Sequence, residues 1–198
     1  MLLYDSVPSG NCYKVRLLLA HLGIAYERRE ISVTDRSNRP ALLRALNPAL
    51  RVPTMVLDDG RSLGESNAIL WYFGDGTRYV PDDRYERAQV LQWQFFEQYD
   101  HEPNIAVPRF WLHYKKGPID QDALAARQAA GYRALDAMEK HLTGREFLVG
   151  SRYSLADISL YAYTHVAEEG NFDLGRYPAI RAWLARVAAQ PGHVTIDA

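Results

Sequence analysis

The chain has 198 residues, 47% of them apolar and 24% charged, a balance that excludes disordered and membrane-embedded classes and leaves a folded protein with a sizeable core. Its 23 basic and 24 acidic side chains leave a formal charge of −1, so no global field draws in nucleic acid or anionic lipid, and binding is expected at a local site. The lone Cys12 excludes an intramolecular disulfide framework and a cysteine-based zinc site, and no metal is expected.

The first residues lack the basic region and apolar core of a secretion signal, and no later apolar run approaches the roughly 20 residues of a membrane span. A cytoplasmic protein is expected.

In chain order, residues 2–5 are short and apolar and run into the turn formers Ser6, Val7, Pro8, Ser9 and Gly10, which predicts a strand entering a tight loop. Val15, Leu18, Leu19 and Leu22 then recur at helical spacing until Gly23 stops the run. A second strand is predicted over 25–31, a short helix over 40–46, and a hairpin around Asp58, Asp59 and Gly60. Ile69, Leu70 and Phe73 mark a further helix. The order predicts a mixed sheet of about four strands covered by helices, within residues 1–76. The glycines, proline and aspartates of 74–83 mark a boundary.

Residues 84–198 carry almost no strand signal and are predicted to be an all-helical bundle. Ala88, Leu91, Phe95 and Tyr99 recur at helical spacing in one stretch, and Leu124, Gln128, Leu135, Met138 and Leu142 in another. Ser154 and Asp157 form a capping-box pattern with Tyr153 and Ile158 as its staple. Pro178 suits a first helical position, and Pro191-Gly192 ends the last helix.

The informative stretch is Ser9-Gly10-Asn11-Cys12, between the first strand and the first helix. A dithiol oxidoreductase would place cysteine at both ends of such a span. Serine cannot exchange disulfides, but its hydroxyl can donate a hydrogen bond to a sulfur held beyond the helix end. There the unpaired amides and the dipole favour an anion. A free thiol with a pKa near ~8.5 needs only modest help to ionise at neutral pH, since one unit is about 1.4 kcal/mol. Read alone, Ser9 is a helix cap.

Two further stretches, Arg51-Val52-Pro53-Thr54 and Leu63-Gly64-Glu65-Ser66-Asn67-Ala68-Ile69, follow in the order and spacing that make the chain resemble the cytosolic glutathione transferases, bacterial and serine-using, over nearly its whole length. The resemblance implies an N-terminal thioredoxin-like domain over 1–76 that binds glutathione, followed by a C-terminal helix bundle over 84–198 that lines the electrophile site. It implies a cis bond before Pro53, with the Val52 backbone turned toward the cysteinyl part of glutathione. Arg51 falls to the glycine carboxylate, and Glu65 and Ser66 to the amine and carboxylate of the γ-glutamyl group. Ser9 takes the place of the catalytic serine, Tyr4 is the reserve hydroxyl, and Cys12 is a packed helix residue.

The implied reaction is conjugation of glutathione, as co-substrate, to a hydrophobic electrophile in a detoxifying role. The electrophile is expected near Tyr99, Asn104, Arg109 and His113. A homodimer is implied. The alternatives are a non-catalytic glutathione-binding module and a glutathione-dependent reductase or isomerase.

Overall fold

The computed structural model describes residues 1–198 in two compact units, Met1–Gly76 together with Pro191–Ala198, and Thr77–Gln190. The first runs β1 (Leu2–Asp5), α1 (Gly10–Leu22), β2 (Glu27–Glu30), α2 (Arg39–Leu43), β3 (Thr54–Val56), β4 (Ser62–Leu63) and α3 (Ser66–Gly74). The sheet order is β2-β1-β3-β4. β1 is parallel to β2, with Leu3 opposite Arg28, and antiparallel to β3, with Leu3 opposite Met55.

Side-chain alternation along β1 divides the core of this unit. Leu3 packs with Val15, Leu19, Met55, Leu57 and Ile69 on the face covered by α1 and α3, while Tyr4 packs with Ile31 and Leu43 on the other. Every residue of β2, Glu-Arg-Arg-Glu, is exposed. The predicted strand over 25–31 thus shortens to a charged edge that discourages further pairing.

The second unit comprises α4 (Arg84–Phe96), a π-helical turn (Glu97–His101), α5 (Glu102–His113), α6 (Gln121–Leu142), α7 (Leu155–Thr164) and α8 (Pro178–Ala188). Local chemistry sets the helix ends. Asp83 accepts from the amides of Tyr85 and Glu86, and Asp120 from that of Ala123. The Glu139 carboxylate takes the amides of Ala179 and Ile180 at the start of α8, both at 2.9 Å.

α7 is buried along its whole length, and its capping box is formed. Asp157 accepts from Ser154 N at 2.9 Å, Leu148 N at 3.0 Å and Trp183 Nε1 at 2.9 Å. Burial nevertheless pushes its carboxyl upward.

Two features differ from the sequence expectation. α4 buries Val90, Trp93 and Gln94, whereas Leu91, Phe95 and Tyr99 are 38%, 68% and 84% exposed. Helical periodicity reveals a stripe without saying which side faces the core, and α4 carries two. The second difference is at the far end: residues 191–198, read as part of the helical region, belong to the first unit. Their backbone carbonyls are taken there by Tyr13, Arg16 and Arg28.

Candidate active site

Ser9 is the N-cap of α1, with extended backbone angles. It is half-buried, and its Oγ accepts from Cys12 N–H at 3.3 Å. That bond uses a lone pair and leaves the hydroxyl proton to donate elsewhere, so capping and donation are compatible in one side chain. Cys12 itself is fully buried. Burial, with a smaller contribution from the Asp5 charge, drives its thiol far above the ordinary range. Tyr4 lies in the core beneath the guanidinium of Arg29, 5.7 Å from the ring centre.

The Val52–Pro53 peptide is cis. Asn47 organises this turn: its Nδ2 donates to Thr54 Oγ1 at 3.0 Å and to Arg51 O at 3.2 Å, and its Oδ1 accepts from Ala49 N–H at 3.0 Å. Thr54 Oγ1 closes the turn by donating to Arg51 O at 2.7 Å. Val52 is half-buried and the Arg51 side chain is exposed. Gly64 packs against Asn47, where a Cβ would stand 2.8 Å from Nδ2. Only glycine lets the β4–α3 connection approach the Asn47 amide this closely.

Glu65, exposed, is the N-cap residue of α3, but its side chain makes no cap bond. Its backbone sits at φ 61, ψ 116, outside the left-handed basin, a conformation that costs about 1–3 kcal/mol in a residue with a Cβ. Ser66, buried, opens the helix. Its Oγ lies 3.3 Å from Asn11 Oδ1 and 3.4 Å from Lys14 Nζ, and Lys14 Nζ donates to Asn11 Oδ1 at 2.8 Å. A buried polar cluster therefore joins the first turn of α1 to that of α3, where amides without intrahelical partners suit a carboxylate.

Asn11, Lys14, Asn47 and Gly64 are supporting residues that the sequence reading did not single out. Asn11 stood inside the quoted Ser9–Cys12 stretch. Gly64 stood inside the Leu63–Ile69 stretch, and no pattern marks Lys14 or Asn47: Lys14 joins Asn11 to the distant Ser66, while Asn47 bonds the nearby Ala49, Arg51 and Thr54 and meets Gly64 only in the fold.

The four residues expected near an electrophile have different surroundings in the second unit. Arg109 is buried and committed to Glu169, Nε to Oε2 at 2.7 Å, and to Tyr114 OH at 3.1 Å. Asn104 donates to Asp100 O and accepts from Arg127, tying α5 to α6. Both thus hold the helices. Tyr99 and His113 are exposed.

A βαβαββα unit with a polar site at the N-termini of its first and last helices, followed by an all-helical unit, defines the two-domain class with a thioredoxin-like first domain. Residues 8–75 match the glutathione S-transferase N-terminal domain and residues 98–191 the C-terminal domain. The chain belongs to the glutathione S-transferase family. A crystal structure of a glutathione S-transferase from Pseudomonas fluorescens Pf-5 is similar at 48% identity and a TM-score of 0.93, with 98% of each chain covered. Among curated relatives, the glutathione S-transferase-like protein LUC7 of a Fusarium species is 31% identical over 93% of this chain and 86% of its own length. The disulfide-bond oxidoreductase YfcG of Escherichia coli K12 is 28% identical over 93% and 88%. No helix is long and apolar enough to cross a membrane.

Proposed function

We propose that the protein is a transferase that ionises the glutathione thiol and directs it at an apolar electrophile. The observation that carries this reading is the group at the end of α1: a half-buried hydroxyl with a proton to donate, while the one cysteine is buried and held protonated. In the proposed reaction the glutathione thiol loses its proton to solvent. The Ser9 hydroxyl donates a hydrogen bond to the thiolate, which attacks an electrophilic carbon. A carbon–sulfur bond forms, and either a leaving group departs with its electron pair or an enone's developing enolate takes a proton. Orientation and stabilisation of charge supply the rate.

Glutathione would lie with its cysteinyl backbone against Val52 and Pro53 and its glycine carboxylate toward Arg51. Glu65, with no cap bond of its own, offers negative charge to the γ-glutamyl ammonium. Because the Ser66 hydroxyl already faces Asn11 and Lys14, the γ-glutamyl carboxylate falls to the first-turn amides of α3, which Ser66 positions. Tyr99 and His113 are the two electrophile-side candidates open to a small molecule.

The decisive experiment follows the ultraviolet thiolate signal of bound glutathione against pH. The expected midpoint lies near neutrality, below that of free glutathione. Bound glutathione that stays protonated through neutral pH would replace this reading with a glutathione-binding module. The disulfide-oxidoreductase relative makes reduction the second reading. It would gain the upper hand if a protein–glutathione disulfide at Cys12 accumulated during turnover, and burial of Cys12 argues against that.

The exposed apolar pair of α4, Leu91 and Phe95, is proposed as part of the face that meets a second copy of the chain, in line with the dimer that family resemblance implies. The double substitution Leu91→Glu with Phe95→Glu is expected to give a folded monomer by sedimentation velocity. A wild-type chain that sediments as a monomer at all accessible concentrations would remove the assignment.

A further inference from the structure

We infer that Arg16 and the 191–198 segment together form the device that positions Ser9, an inference that rests on the transferase reading above. The loop between β1 and α1 is held from two directions. On one side, the Glu30 carboxylate accepts from Val7 N–H at 3.1 and 3.2 Å and from Ser6 Oγ at 3.2 Å. On the other, Arg16 donates to the loop carbonyls, Nη1 to Ser6 O at 3.4 Å and Nη2 to Val7 O at 3.0 Å. Ser6 O also accepts the amide of Ser9 at 3.0 Å. The guanidinium therefore lies one hydrogen bond away from the backbone of the proposed catalytic residue.

What fixes the guanidinium is remote in sequence. Arg16 is 2% exposed. Its Nη1 meets both oxygens of Asp5, at 2.7 and 3.0 Å, and its Nη2 divides its two protons between Val7 O and Ile196 O, the latter at 2.5 Å. A planar fork whose two terminal nitrogens are taken by Asp5, the loop and the returning segment has its orientation set by those three partners.

The segment has two further anchors. Tyr13 OH donates to Val194 O at 2.7 Å, and Arg28 Nη1 donates to Ala198 O at 2.8 Å. Arg28 in turn pairs with Asp5 Oδ2 at 2.8 Å. One buried carboxylate thus orients two guanidinium groups, and each passes a hydrogen bond to the same returning segment. If Ile196 O is removed, the fork loses one of its three tethers, and the Ser6–Val7 carbonyls lose their fixed partner.

Arg16 and the segment are positioning elements, so the readout must be the ionisation of bound glutathione and not activity alone. In the chain ending at His193, the midpoint of the bound-thiol titration should rise by about one unit, with neutral-pH turnover falling about fivefold. Affinity for S-methylglutathione, which has no thiol to ionise, should stay within about twofold, the tolerance of an intact binding site.

The full-length Arg16→Lys variant is the second arm. It keeps the charge opposite Asp5 but cannot span Asp5, Val7 and Ile196 together, and the same upward shift is expected. A role in stability alone would lower the melting temperature and leave the midpoint where it is. An unshifted midpoint in Arg16→Lys, or in a folded shortened chain, overturns the inference while the transferase reading stands. A wild-type midpoint no lower than that of free glutathione removes the reading, and this inference with it.

Discussion

Replacing Ser9 by alanine is expected to reduce turnover more than about tenfold while leaving affinity for S-methylglutathione nearly unchanged, the pattern of an interaction made to the reacting sulfur and not to the ligand as a whole. The geometry separates two contributions of the same hydroxyl. Its lone pair caps α1 through Cys12 N–H, and losing that bond costs about 1 kcal/mol of stability. In the proposed reaction its proton is hydrogen-bonded to the thiolate, and losing that bond should move the pH–rate midpoint upward toward that of free glutathione. Ser9→Thr retains both functions and should restore the midpoint. Alanine turnover equal to wild type, measured with glutathione saturating, would remove Ser9 from the mechanism.

The largest stability loss is expected at Asp5. Its fully buried carboxylate faces Arg16, which is equally buried, and Arg28, which is partly exposed. Asp5→Asn keeps the shape but strands the Arg16 charge, and breaking a buried pair from one side costs about 3–5 kcal/mol. Against a typical total of about 5–15 kcal/mol, that is a fifth or more of what keeps such a protein folded. Urea denaturation at neutral pH measures it. A loss under about 1 kcal/mol would mean that Arg16 finds other compensation, as an exposed pair would. Arg28→Gln, at the solvent-facing end of the same carboxylate, should cost far less.

These two residues also illustrate what the sequence could reveal. The strand, loop and helix around Ser9 follow from an apolar run, a cluster of turn formers and a 3.6-residue repeat, all of them local signals. The α7 capping box is legible for the same reason, because Ser154 and Asp157 are three positions apart and act on each other. Asp5 and Arg16 read as ordinary charges, since only the fold brings Arg16, Arg28 and the carbonyl of Ile196 to one carboxylate. Backbone carbonyls carry no residue signature, so nothing in residues 191–198 announces their destination. Pro191-Gly192 marks a helix end and is silent about where the chain goes next.

α4 shows a different limit. Periodicity groups Leu91 and Phe95 on one face of α4 and could not say that this face points outward, because Val90 and Trp93 on the opposite side are apolar too. In the site, Glu65 and Ser66 were legible as a pair preceding an apolar helix. The backbone angles of Glu65 and the dependence of its loop on Asn47 and Gly64 were not, since a close approach is a property of two segments at once.

The return of residues 191–198 to the first unit also bears on inheritance. Recombination that exchanges helical halves between relatives at the 76/77 boundary would separate Arg16 and Arg28 from the carbonyls they grip. A chimera would therefore have to carry residues 191–198 from the same parent as residues 1–76. Residues 1–76 and 191–198 are in this sense one module, interrupted by another.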